Sequence, residues 1–213
     1  MHNPSHFEET RIEVLRDLIR RHPLGVLVTL AARGLDANHI PFELDPDLAP
    51  YGTLRGHVAR ANPVWRDFSR DVQALAVFRG VDSYITPSWY QTKKESGKVV
   101  PTWNYAVVHA HGPLRVVDDK EWLRKFVTKL TARHEAPRAD PWSIADAPAD
   151  YIEKMLTAIV GIEIPVARLE GKWKVSQNRT ASDRQGVVEG LEAETGDAAA
   201  AMAQMVREAL RGN

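Results

Sequence analysis

Leu24-Gly25-Val26-Leu27-Val28-Thr29-Leu30 is an apolar, partly β-branched run that predicts a buried strand. Arg33-Gly34 follows and favours a turn, and residues 37–44 then predict a second strand. We interpret the two segments as a hairpin. Strands joined by so short a connection run in opposite directions, so the hairpin indicates an antiparallel sheet.

The rest of the chain interleaves short strands with peripheral helices. Further strands are predicted at residues 53–58, 72–78, 101–117 (one long strand, or two split near Gly112-Pro113), 161–166 and 171–176. Helices are predicted from Thr10, after Asp118, around Ile152, and from Ser182 with a break near Gly196. Residues 84–98 are aromatic and lysine-rich and predict a long exposed loop. The βαβ alternation of a Rossmann fold is missing, so we expect an α+β protein built on an antiparallel barrel.

Composition excludes several classes of function. The 213 residues include no cysteine, which removes disulfides, thiolate nucleophiles, zinc fingers and cysteine-bound iron–sulfur clusters. Lys+Arg and Asp+Glu are both 28, and a formal net charge of zero argues against indiscriminate nucleic-acid binding. No apolar run approaches the roughly 18 residues of a membrane span, and the first residues lack signal-peptide features. We therefore expect a cytoplasmic protein without a membrane partner.

Common catalytic motifs are also missing from the sequence. It contains neither G-x-G-x-x-G nor G-x-x-x-x-G-K-[ST], and no G-x-S-x-G elbow. His109-x-His111 places two imidazoles on one side of a predicted strand, which is half of a metal site. Because no neighbouring third ligand completes it, we expect ordinary hydrogen bonding there and no metal. His39 and His57 also lie on predicted strands, where ordinary hydrogen bonding is again more frequent than metal binding.

Three segments combine flat rings with hydroxyls, amides and cations: residues 56–65, residues 84–90 continued by 101–105, and residues 172–179. Flavin mononucleotide (FMN) needs this mixture. Its phosphate is bound by Arg or Lys with Ser or Thr hydroxyls, and its ring system by apolar or aromatic faces with a few amides. The alternative is that the tryptophans are core or interface residues and that the polar groups only form turns.

The same segments resemble the PaiB-type family of FMN-binding negative transcriptional regulators. The matching stretches follow the order of the family and are residues 3–7, 39–41, 56–65, 84–90, 100–105 with His109, and 174–179. Thr86 stands where many members have serine, and the tail after Gly190 falls outside the resemblance.

The resemblance implies the split β-barrel of flavoproteins such as pyridoxamine-phosphate oxidase, in which two subunits pack together and each flavin lies between them. We expect a split-barrel domain over residues 1–180 and a helical tail over residues 181–213, packed on the domain or extending from it. The candidate FMN-binding residues are His39, His57, Arg60, Asn62, Ser88, Trp89, Trp103, Asn104, Lys174, Ser176, Gln177, Asn178 and Arg179. No catalytic residue is assigned.

Three functions are compatible with this reasoning. The favoured one is a cytoplasmic homodimer that binds FMN and serves as a regulatory or redox flavoprotein. The second is a DNA-binding repressor with flavin as effector or absent, which the missing basic recognition helix and zero net charge disfavour. The third is a haem-binding split barrel, suggested by eight histidines. Enzymatic activity is left open, because a flavin carries its own electron-transfer chemistry.

Overall fold

The computed structural model describes residues 1–211. Its strands are β1 (Glu8–Glu9), β2 (Leu24–Ala31), β3 (Gly34–Pro41), β4 (Glu43–Asp45), β5 (Thr53–Ala59), β6 (Ala74–Ile85), β7 (Thr102–Gly112), β8 (Arg115–Val117), β9 (Ile159–Pro165) and β10 (Arg168–Lys174). Its helices are α1 (Ile12–Arg21), α2 (Gln91–Glu95), α3 (Lys120–Glu135), α4 (Ala149–Thr157), α5 (Ala181–Ala193) and α6 (Asp197–Arg211). None of these helices is long and apolar enough to cross a membrane.

The strands form two sheets. One has six strands in the order β1-β10-β7-β6-β2-β3, and the other has four in the order β4-β5-β9-β8. Strand pairs in both sheets are antiparallel, including β2 with β3 and β5 with β9. The prediction of an α+β protein with antiparallel strands and peripheral helices is confirmed.

The chain divides into two compact units. Unit 1 contains Met1–Leu18, Arg79–Val108 and the chain from Glu170 onward, and unit 2 contains Ile19–Phe78 and His109–Leu169. Strands β6 and β7 therefore contribute to both units, and each unit is described by itself below.

Unit 2 contains the predicted hairpin. Strand β2 pairs with β3 along its whole length, from Leu24 opposite Pro41 to Ala31 opposite Gly34. Gly34 has a φ of 114°, which an L side chain rarely adopts, and this explains a glycine at the turn. Strand β3 starts at Gly34, three residues earlier than predicted, because the tight turn lets pairing begin at once.

Unit 1 contains the predicted helical tail. Helices α5 and α6 pack with the end of β6 and the residue after β10 around an apolar cluster that includes Ile85, Tyr90, Val175, Val187, Leu191, Met202 and Val206. The break predicted near Gly196 is confirmed, since α5 ends at Ala193 and α6 begins at Asp197. Gly196 has a φ of 127°, so it supplies the left-handed backbone of the break.

The expected loop at residues 84–98 is partly regular structure. Strand β6 continues to Ile85, a 3₁₀ turn covers Pro87–Trp89, and α2 follows. Asp183 of α5 stabilises α2, because its carboxylate accepts hydrogen bonds from the Thr92 backbone N–H at 2.9 Å and from the Thr92 hydroxyl at 2.8 Å. This partner is 91 residues away in sequence, so the local pattern did not reveal it.

Candidate functional site

The candidate residues fall into two groups. Unit 2 holds His39, His57, Arg60 and Asn62, and unit 1 holds Ser88, Trp89, Trp103, Asn104, Lys174, Ser176, Gln177, Asn178 and Arg179. The unit 1 group centres on the turn that follows β10, where Lys174 to Arg179 leave the sheet before α5 begins.

Gln177 closes this turn with its own side chain. Its Oε1 accepts from the Val175 backbone N–H at 2.8 Å, and its Nε2 donates to the Trp173 carbonyl at 2.6 Å. In these two contacts the side-chain amide pairs with a backbone N–H and a backbone carbonyl, as a neighbouring strand would. Gln177 therefore shapes the turn with one acceptor site and one N–H of its amide, and its assignment as an FMN ligand stays a prediction.

Ser176 and Asn104 form a buried pair beneath the turn. Asn104 is fully buried, and its Nδ2 donates to the Ser176 hydroxyl at 2.9 Å. Ser176 has a φ of 67°, a left-handed conformation that costs a non-glycine residue on the order of 1 kcal/mol. The Asn104 amide helps to hold this conformation, which directs the following residues outward.

Lys174 is the central cation of the group. Its ammonium donates to the Trp103 carbonyl at 2.9 Å and to the Thr102 hydroxyl. Burial lowers the pKa of Lys174, and the neighbouring charges of Lys172 and Arg179 lower it further. Within residues 1–211, none of these three cations forms an ion pair with an acid. We call Lys172, Lys174 and Arg179 the cation cluster, and its uncompensated charge favours an anion.

Arg179 lies over a buried tyrosine. Its guanidinium carbon is 4.7 Å from the centroid of the Tyr90 ring, and its backbone N–H donates to the Ser176 carbonyl at 3.0 Å. Burial raises the pKa of Tyr90, and the nearby Arg179 guanidinium opposes this shift. The aromatic ring favours the positive charge at this place, and a guanidinium offers several N–H donors to a phosphate.

The two candidate tryptophans of unit 1 have different surroundings. Trp103 is 53% exposed and meets exposed Tyr84 edge to face, with ring centroids 5.9 Å apart. Trp89 packs on α5, where a Cβ added to Gly190 would lie 2.3 Å from the indole ring. Trp103 and Tyr84, which we call the aromatic pair, are therefore available for a ligand, whereas Trp89 contributes to the core.

The other polar candidates of unit 1 lie on its surface. Ser88 and Asn178 are both exposed, and the Ser88 hydroxyl accepts from the Lys93 ammonium at 3.2 Å. Neither is held by the buried network beneath the turn, so their assignment as ligands stays a prediction.

Arg60 and Asn62 of unit 2 are engaged in local structure. Arg60 donates to both carboxylate oxygens of Asp118, at 2.9 and 2.6 Å, and to the carbonyls of Thr157 and Ile159. The Asn62 side chain caps the 3₁₀ turn at Pro63–Trp65 by accepting from the Val64 N–H at 2.9 Å. The polar groups of both side chains have partners within the chain. This agrees with the alternative interpretation, in which the polar residues of this segment form turns and bind no ligand.

The histidine candidates differ from one another. His39 is exposed on β3, opposite Val26 of β2. His57 meets Phe126 edge to face at 5.8 Å, and its buried Nδ1 has no hydrogen-bond partner in the described chain. Burial lowers the pKa of His57, which favours the neutral imidazole.

His109 and His111 have ring centroids 6.3 Å apart, and the expectation that they hold no metal stays a prediction.

Two residues of this region lie in the segments singled out from the sequence but were not among the candidate FMN-binding residues. Lys172 belongs to the cation cluster, and Tyr84 completes the aromatic pair. Residues two apart on a strand share a face, so the spacing of Lys172 and Lys174 was the available signal. The contact of Tyr84 with Trp103 joins β6 to β7, and it had no signal in the local sequence.

Comparisons with known proteins concern the sequence as a whole and the fold. The sequence matches the family model described as "Putative FMN-binding domain" over residues 1–168. It is 37% identical, over 235 aligned positions and 94% of each chain, to the uncharacterized protein AN0679 of Emericella nidulans. It is 30% identical, over 211 positions and 99% of each chain, to the protease synthase and sporulation protein PAI 2 of Bacillus subtilis.

A solved structure supports the fold. The FAD and heme binding protein from Mycobacterium smegmatis superposes with a TM-score of 0.55 at 16% identity, covering 78% of this chain and 73% of that chain. The split-barrel fold expected from the sequence is confirmed. With the family model covering residues 1–168 and the similarity to PAI 2 covering 99% of the chain, the protein belongs to the PaiB-type family of FMN-binding domains.

Proposed function

We propose that this protein binds FMN through the cation cluster and the aromatic pair of unit 1, and that it acts as a homodimeric regulatory or redox flavoprotein. The observation that carries the proposal is the cation cluster itself. The charges of Lys172 and Arg179 act on Lys174 there, and none of the three cations forms an ion pair with an acid within residues 1–211. Because the described chain supplies no ion-pair partner for these cations, the site favours binding of an anionic ligand.

The phosphate of FMN fits this place by its chemistry. A phosphate monoester carries about −1.5 to −2 charges near neutral pH and offers three acceptor oxygens. Lys174 and Arg179 would supply N–H donors to it, and the Asn104–Ser176 pair would hold the turn that presents them. A bound anion would also remove the repulsion between the three cations.

The flavin ring has a suitable neighbour in the aromatic pair. The Lys174 ammonium is anchored to the Trp103 carbonyl, so the central cation lies beside the strand segment that carries the exposed indole. Exposed aromatic faces favour a flat apolar ring, and Tyr84 limits the freedom of the Trp103 side chain. When bound, the flavin would supply one- and two-electron chemistry, and the chain would bind and orient it.

Support for a homodimer comes from unit 2. The register of β2 and β3 places eight residues on one face of the hairpin, namely Leu24, Val26, Val28, Leu30, Leu35, Ala37, His39 and Pro41. We call this the hairpin face. Leu24 is 62% exposed and Leu35 is 80% exposed. An exposed apolar surface of this kind marks an interface, and a face without acidic or strongly basic residues can meet its own copy without repulsion.

A regulatory role would work through the bound ligand. Nonspecific DNA binding is driven by a surplus of positive charge, and the chain as a whole has none, with 28 basic and 28 acidic residues. The solved neighbour from Mycobacterium smegmatis is described as binding FAD and haem, so haem is an outcome that the experiment has to distinguish.

Native mass spectrometry of the purified protein, with and without added FMN, tests the proposal. We expect a dimer that binds one FMN per chain, with a flavin absorbance spectrum. A bound mass of haem with a Soret band would replace FMN by haem. A chain that binds neither ligand at micromolar concentration would overturn the proposal, and a monomer that binds FMN would overturn only its dimeric part.

A further inference from the structure

Lys172 is a buried lysine held by the N-terminal segment. Only 8% of the residue is exposed, and its ammonium donates to the His2 carbonyl at 2.9 Å. The ammonium also lies over two aromatic rings, 5.9 Å from the centroid of Phe7 and 5.6 Å from that of Tyr105. A carbonyl and two ring faces thus surround the charge without neutralising it.

The residues that surround Lys172 are anchored to the strand that carries it. Strand β1 pairs with β10, placing Glu8 opposite Lys172 and Glu9 opposite Gly171. The Asn3 side chain donates to the Gly171 carbonyl at 2.9 Å, and Phe7 is buried. The position of the ammonium is therefore set by packing and by backbone pairing.

No carboxylate forms an ion pair with Lys172 in the described chain. Glu8 lies opposite Lys172 in the register, yet it is exposed and forms no ion pair with Lys172 within residues 1–211. A buried cation without a counter-charge is costly, and cation–π contacts offset only part of the cost. A matching anion from outside the chain would offset more of it.

We infer that Lys172 is a specificity-determining residue, a fixed positive charge through which the cation cluster selects a doubly charged phosphate monoester over less charged ligands. The inference rests on the proposed function, because it concerns the same site. Lys172 and Lys174 are two residues apart on β10 and share a face, so the fixed charge of Lys172 adds to the positive field at Lys174.

The direction of the effect on Lys174 agrees with this geometry. Burial lowers the pKa of Lys174, and the charge of Lys172 is the next largest cause. A doubly charged phosphate would relieve this repulsion. Riboflavin has no phosphate, so the cluster should prefer FMN to riboflavin.

Three variants test the inference. Lys172→Met removes the charge and keeps an apolar chain in the rings, Lys172→Arg keeps the charge, and Lys98→Met removes an exposed lysine of unit 1 as a control. We expect K172M to weaken FMN about tenfold, because the phosphate loses the field of one partly buried positive charge, and to leave riboflavin affinity unchanged. The slope of log Kd against log salt should also become shallower. K172R and K98M should retain the preference for FMN.

A second measurement separates this inference from the proposed function. The pKa of Lys174 can be followed by side-chain NMR in the free protein and with inorganic phosphate, without flavin. We expect the pKa of Lys174 to rise in K172M and to rise in the wild type when phosphate is added. An unchanged Lys174 pKa in folded K172M would overturn the inference whether or not flavin binds. Absence of FMN binding by a wild type whose Lys174 still responds would overturn the proposed function alone.

Discussion

The Lys174 ammonium donates a hydrogen bond to the carbonyl oxygen of Trp103 across 2.9 Å. This bond joins the end of β10 to the start of β7 and places the central cation of the cluster beside the strand segment whose indole is exposed. It uses a backbone oxygen, so the contact survives replacement of the Trp103 side chain. The roles of the cation and of the ring can therefore be tested by separate substitutions.

Replacement of Lys174 or Arg179 by methionine should weaken FMN more than riboflavin, because riboflavin has no phosphate for these cations to bind. A charge-assisted hydrogen bond contributes roughly 1.5–3 kcal/mol, which corresponds to about ten- to a hundredfold in affinity. Isothermal titration with both flavins measures the difference. Lys94→Met, an exposed lysine of α2, is the control and should change neither affinity. Equal losses for both flavins would show that the cations only maintain the fold.

Trp103 and Trp89 should respond differently to phenylalanine substitution. Trp103 is exposed, so W103F should leave stability unchanged and reduce the quenching of tryptophan fluorescence when FMN is added. Trp89 packs on Gly190 of α5, so W89F should leave a cavity and cost about 1–3 kcal/mol of stability with FMN affinity retained. Trp142→Phe, at another exposed tryptophan, is the control for quenching. Undiminished quenching in W103F would remove this ring from the site.

A negative charge on the hairpin face should dissociate the dimer. Leu35 is 80% exposed in the single chain, so L35E should fold normally while burying an unpaired carboxylate in any interface formed there. Light scattering at micromolar concentration should then report a monomer. Leu48→Glu, at an exposed leucine outside this face, should remain dimeric. A dimeric L35E would place the interface elsewhere on the molecule.

The neutral His57 should make the protein less stable in acid. Burial lowers the pKa of His57 below the ordinary 6.5, so the unfolded chain binds a proton at a higher pH than the folded one. Above about pH 6.5, the ordinary pKa of histidine in the unfolded chain, His57 should not affect the free energy of unfolding. Below that pH the free energy of unfolding should fall as the pH decreases, by at most about 1.4 kcal/mol per pH unit.

Urea unfolding between about pH 7 and pH 5 measures this dependence. His57→Gln should flatten the acid decline, whereas His134→Gln, at an exposed histidine of α3, should not. A decline of the same steepness in H57Q would assign the acid sensitivity to other groups.

Local pattern was sufficient for most secondary structure. The apolar run from Leu24, the turn at Gly34 and the break at Gly196 are each encoded within a few residues, by side-chain periodicity or by a glycine with positive φ. The expected loop at residues 84–98 shows the limit. The first turn of helix α2 is stabilised by the Asp183 carboxylate, which accepts the Thr92 backbone N–H. Asp183 is so distant in sequence that the local pattern around α2 does not reveal it.

The sequence alone determined the family, the antiparallel class and the segment from Lys172 to Arg179 as the place to look for a ligand, because these follow from residue order and type. Only the tertiary structure decided which of its side chains hold the turn and which carry a charge without an ion-pair partner in the described chain. Gln177 and Ser176 are held by contacts in the turn and beneath it, whereas the charges of Lys172 and Arg179 act on Lys174, and none of the three cations forms an ion pair with an acid in the described chain. Hydrogen-bond partners and charge compensation depend on distances between strands and helices, and residue order does not specify those distances until the chain has folded.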